Sequence, residues 1–128
     1  MLGEVLPLLP TLENLNLEEN AINDLKFECI IPALVSLSNL KSLNLAKNSL
    51  THLSIERYFK NLADENIDKS LKLSKLNLIG CNLKDEGITV IFQGILNNMS
   101  LFKNLGHLQI NAIKTQKFCL PMLKKFIS

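Results

Sequence analysis

The sequence contains no tryptophan, a single tyrosine and a single arginine, Arg57. Only seven residues of 128 are aromatic, so Leu and Ile must build the core. Five scattered glycines provide no Gly-rich loop of the kind that cradles phosphate. Cysteine is scarce too: Cys29, Cys81 and Cys119 are odd in number, widely spaced and never in a CxxC pair. That argues against a disulfide framework and predicts buried thiols in a reducing compartment. The stretch "MLGEVLPLLPTL" has no basic residue ahead of its apolar part, and Glu4 and two prolines interrupt it. It reads as neither a signal peptide nor a membrane helix, and a cytoplasmic location is expected. Net charge is +2 with both signs interspersed, so the whole chain is no electrostatic magnet for nucleic acid.

What the sequence does have is a repeat. "LENLNLEENAI" starts at Leu12, "LKSLNLAKNSL" at Leu40, "LSKLNLIGCNL" at Leu73 and "LGHLQINAIKT" at Leu105. The first apolar position is Leu12, Leu40, Leu73 and Leu105; the second is Leu15, Leu43, Leu76 and Leu108; the third is Leu17, Leu45, Leu78 and Ile110. Starts lie 28, 33 and 32 residues apart, room for a strand, a turn and a full helix in each interval.

Alternation in the Leu-x-Leu part points the leucines one way and the residues between them the other. One short strand cannot bury such a row alone. Parallel stacking at about 4.8 Å joins the rows into a continuous core, and parallel neighbours need a crossover that a helix supplies. Asn20 and Asn48 follow their strands, where a buried amide can donate to and accept from the peptides of the turn. Cys81 takes that position in the third copy as a small, weakly donating substitute.

The crossovers carry apolar residues at helical spacing. These are Phe27, Ile30, Ile31 and Leu34; then Ile55, Phe59 and Leu62; then Ile88, Ile91, Phe92 and Ile95. Pro32 is expected to start or kink its helix, and Asp85 to cap its helix or sit in the first turn. The polar run from Ala63 to Ser70 reads as a surface loop.

This pattern resembles the leucine-rich repeat family, specifically its ribonuclease-inhibitor-like class, over roughly residues 12–115. The third copy carries the likeness best, with Cys81 at the Asn/Cys position and Asp85-Glu86-Gly87 ahead of its helix. The resemblance implies an α/β solenoid, a short horseshoe with about four parallel strands on the concave face and helices on the convex face. One domain, 1–128, is expected: a cap or remnant helix at 1–11, repeats starting near 12, 40, 73 and 105, and a cap at 116–128. The irregular fourth copy, with Ile113 and Thr115 where Asn and Leu are due, fits a terminal repeat.

Functional residues are expected between the leucines. The candidate partner-binding set is Asn14, Asn16, Glu18, Asn44, Lys47, Lys75, Asn77, His107 and Gln109. Asn16, Asn44, Asn77 and Gln109 should form a row of amides able to bond one another along the sheet and still meet a ligand. Glu18 or Glu19 could equally pair with Lys47 on the next strand.

Catalysis is not expected. His52 and His107 fall on a helix start and a strand, with no Cys or carboxylate at a catalytic spacing, and no metal-ligand cluster or cofactor motif is present. Nucleic acid is not expected either, because no face position is Arg or aromatic. Lys114, Lys117, Lys124 and Lys125 cluster towards the C-terminus, where they could touch an acidic partner or a membrane surface, though a solvated helix end explains them at least as well.

The expected role is binding another protein through the concave face. Members of the family act as adaptors or regulators in eukaryotic cells and as host-directed bacterial effectors, the latter reaching a host cell by a signal-independent route. The alternative is a structural subunit, or a fragment of a longer solenoid, that self-associates through exposed repeat ends.

Overall fold

A computed structural model of the chain describes residues 11–65 and 70–110. Most of both expected caps, the irregular part of the fourth copy and the C-terminal lysine cluster lie outside the described residues.

The order is β1 (Asn14–Asn16), α1 (Asp24–Val35), β2 (Ser42–Asn44), α2 (His52–Glu65), β3 (Lys75–Asn77), α3 (Lys84–Asn97) and β4 (His107–Gln109). The strands form one parallel sheet in sequence order, so each helix is the crossover between neighbouring strands. Leu15, Leu43, Leu76 and Leu108 pair in register, each flanked by the residues that precede and follow it in the same repeat. The fold is α/β, with four parallel strands and three helices.

The leucines go where the alternation requires. Leu43, Leu45, Leu76 and Leu78 are buried in the middle of the stack, whereas Leu15 and Leu108 on the outer strands are half-buried. They share a core with Phe27, Ile31 and Leu34 of α1, Ile55 and Leu62 of α2, and Ile91 and Ile95 of α3. Each fully buried Leu or Ile contributes about 1.5–3 kcal/mol, which outweighs the modest β-preference of these three-residue strands. Four of the few aromatics are placed where units meet. Phe27 of α1 stands edge-on to Tyr58 of α2 at 5.8 Å, and Phe59 reaches Phe102, ahead of β4, at 4.9 Å.

The hydrogen bonding repeats with the sequence. Glu13 O accepts from the N–H groups of Lys41 and Ser42, Lys41 O from Ser74 and Lys75, and Ser74 O from Gly106 and His107. After the strands, Glu19, Lys47 and Gly80 occupy one repeat position and share a left-handed backbone with φ of 56°, 57° and 79°. Only the third is the residue type that adopts this conformation without strain.

Several expectations need correction. Of the two roles expected of it, Pro32 does not start α1; it lies inside, one turn from the end, where it supplies no N–H to the Glu28 carbonyl, and Ser36 N–H still bonds Pro32 O at 3.2 Å. α1 starts instead at Asn23, whose side chain accepts the Lys26 N–H at 2.9 Å. α2 continues through Ala63, Asp64 and Glu65, so the first part of the expected loop is helix, with Ala63 packed against the core. Asp85 lies in the first turn of α3, as one of its two expected positions allowed, and Leu83 takes the capping position without a side-chain bond. The thiols are not all buried: Cys29 is exposed and Cys81 half-buried, both free.

Candidate functional site

One face of the sheet packs on the core and the other displays the residues between the leucines. Register brings them into columns. Asn14, Ser42, Lys75 and His107 form one row; Asn16, Asn44, Asn77 and Gln109 form the next. Glu18, Ala46 and Ile79 follow just beyond the strands, with Glu18 half-buried, Ala46 buried and Ile79 exposed. Eight of the nine candidates therefore lie on or directly bordering one surface. Lys47 sits apart, in the left-handed turn after β2, exposed, with its stem against Gly80.

The amide row does not bond along itself. Asn16 Oδ1 accepts the Glu18 N–H, Asn44 Oδ1 the Ala46 N–H and Asn77 Oδ1 the Ile79 N–H, each at 3.0 Å. This is the local Asx-turn bond, two residues forward, and it closes the chain where it leaves the sheet. Asn44 Nδ2 donates across to Glu18 Oε1 at 3.1 Å. Glu18 is thus partnered by Asn44 rather than by Lys47, and the ion pair between the first two strands is Lys41–Glu13 at 3.0 Å. That pair is exposed at both ends and adds little to stability.

Behind the face, Asn48 makes the bonds expected of its position. It is buried; its Nδ2 donates to Leu17 O, Leu45 O and Ala46 O, and its Oδ1 accepts from the N–H groups of Asn20 and Ile22, all between 2.9 and 3.2 Å. One amide therefore stitches two successive turns. Cys81 reproduces part of this, donating from Sγ to Leu45 O at 3.2 Å. Burial pushes its thiol pKa up, with backbone contacts from Asn48 and Leu50 opposing, which keeps it protonated as a donor. Asn20 departs from expectation: it is exposed, and among the described residues its side chain donates only to Glu18 O.

A cluster not anticipated from sequence joins the helix starts. The Asp24 carboxylate, in the first turn of α1, accepts from Thr51 N at 2.9 Å, from Thr51 Oγ1 at 2.6 Å and from Ser54 Oγ at the start of α2. Burial alone would raise the Asp24 pKa, but the Ser54 and Thr51 bonds and the nearby His52 outweigh it and hold it below the usual value. The Asn23-Asp24 dipeptide was the available signal, a capping residue followed by a first-turn acid. Nothing in the letters showed that the acid would serve the neighbouring helix as well.

The sequence matches no family model and no curated protein. Geometry therefore has to carry the functional reading. Among the described residues, no three His, Cys, Asp or Glu side chains come together as metal ligands, and no helix is long and apolar enough to cross a membrane. His52 lies at the start of α2 beside Asp24, and His107 lies in β4.

Proposed function

We propose that this chain is a leucine-rich repeat solenoid of the ribonuclease-inhibitor-like class that binds a partner protein through the polar face of its sheet and has no catalytic role of its own. The observation that carries this reading is the combination of a rigid backbone with unspent side chains. The starts of β2, β3 and β4 are each held by a carbonyl accepting two N–H groups, and the first three strand ends are closed by an asparagine. Yet Asn14, Lys75, His107 and Gln109 stand exposed on that framework. Side chains held on a preorganised surface lose little entropy on docking, the property that makes such a face useful for recognition. Repetition of the same bonds in three successive strand–turn–helix units supports the solenoid reading.

Capture with the immobilised chain, identification of bound proteins by mass spectrometry, and repetition with the variant Asn14→Ala, Lys75→Ala, His107→Ala, Gln109→Ala tests the proposal. Loss of a partner with the fold intact by circular dichroism is the expected result. Unchanged binding of every captured partner would overturn it.

A further inference from the structure

The amide row has a defined polarity. In Asn16, Asn44 and Asn77 the oxygen is occupied by the N–H two residues ahead, so the group each has left to present is the Nδ2 donor. Asn44 directs its Nδ2 to Glu18, while among the described residues Asn77 Nδ2 has no partner. Asn77 is flanked by exposed Lys75 two residues earlier on the same face, and their register neighbours on β4 are Gln109 and His107. The only carboxylate among the described face positions is Glu18, two strands away and already bonded. The β3–β4 half of the face is thus rich in donors, carries a cation and lacks an acid, with Ile79 as an exposed apolar border.

Resting on the sheet-face reading above, we infer that this half binds a carboxylate-rich segment of the partner polypeptide. Lys75 supplies the charge, and Asn77 Nδ2, the Gln109 amide and a His107 ring N–H supply the hydrogen bonds. Strands about 4.8 Å apart put neighbouring donors within reach of one carboxylate, which offers about four acceptor sites. A nucleic-acid phosphate is the weaker match: no described face position provides the forked donors of Arg, and the His107 imidazole is the only ring there for a base.

The full chain, labelled with nitrogen-15, is titrated with deca-glutamate, deca-lysine and a ten-nucleotide oligouridylate. Deca-glutamate alone should move the side-chain NH2 signals of Asn77 and Gln109 and the backbone signals of β3 and β4. Asn77→Asp keeps the acceptor that closes the turn at Ile79 but replaces the outward donor by an acceptor of the same shape. It should weaken deca-glutamate binding about tenfold or more. Lys75→Gln should also weaken it, and Asn16→Asp at the far edge should not. Shifts scattered over the molecule, an Asn77→Asp affinity equal to the parent's, or the same shifts with oligouridylate would each overturn the proposal. A captured partner lost on changing Asn16, Glu18 and Asn44 but indifferent to Lys75 and Asn77 would overturn it while leaving the sheet-face reading standing. Indifference to both sets would overturn that reading itself.

Discussion

Asn48 and Cys81 perform the same task one unit apart: Asn48 Nδ2 donates to Leu17 O, and Cys81 Sγ donates to Leu45 O, the equivalent leucine of the next strand. The amide makes five bonds there where the thiol makes one clear one. Asn48→Ala should therefore be costly, about 3–4 kcal/mol, because buried peptide groups of two turns lose their partner at once. Asn48→Cys should cost markedly less than Asn48→Ala, since Cys81 shows that a thiol fits the position. Chemical denaturation of the three proteins checks the order; equal losses for Cys and Ala would contradict it.

The left-handed position after the first three strands gives a second contrast. Gly80→Ala should destabilise by about 1–2 kcal/mol, because φ is +79° and a Cβ would stand 3.1 Å from Lys47 Cγ. Lys47→Gly should leave stability unchanged or raise it by up to about 1 kcal/mol, relief of backbone strain being offset by a freer unfolded chain. Thermal melts of the two variants should shift in opposite senses, or the second not at all.

Acid should loosen the joint between α1 and α2. Asp24 has a folded pKa held below its ordinary value of 3.8, so its carboxylate stabilises the fold at pH values above 3.8. That contribution is lost as pH falls below 3.8 and through the folded pKa. Asp24→Ala should cost about 1–2 kcal/mol at neutral pH, as loss of a helix cap does, and less at a pH below 3.8. Stability curves that differ by the same amount at both pH values would show that the carboxylate's charge is irrelevant.

Close packing of α2 on α3 depends on a missing side chain. A Cβ at Gly94 would lie 2.7 Å from Phe59 Cδ2, and Phe59 is itself held against Phe102 at 4.9 Å. Gly94→Ala should cost about 1–3 kcal/mol through overpacking. Adding Phe59→Leu should make the glycine substitution cheaper, which a double-mutant cycle measures directly.

The strands, their order and the buried leucines were legible because twelve apolar positions in one register leave a single way to bury them. The three helices were legible from Phe27, Ile55 and Ile88 and the apolar residues that follow each at helical spacing. Helix limits were not: Ala63-Asp64-Glu65 is polar enough to look like loop, yet it continues a helix anchored by Tyr58, Phe59 and Leu62. The candidate face was legible as a set of residues but not as chemistry. An asparagine at a strand end can bond its neighbour across the sheet or its own chain two residues on, and the letter is the same for both. Asn20 was misjudged for a related reason. Its repeat position is that of Asn48, but among the described residues no earlier strand with its following turn lies beside β1 for it to brace.

Because Asn16 and Asn77 hold the framework with one atom and face outward with the other, scaffold and surface are separable at the level of a single atom. Exchanging nitrogen for oxygen at either of them keeps the brace and reverses what a visitor meets. A surface built this way can acquire a taste for cations in place of anions without its architecture registering the change.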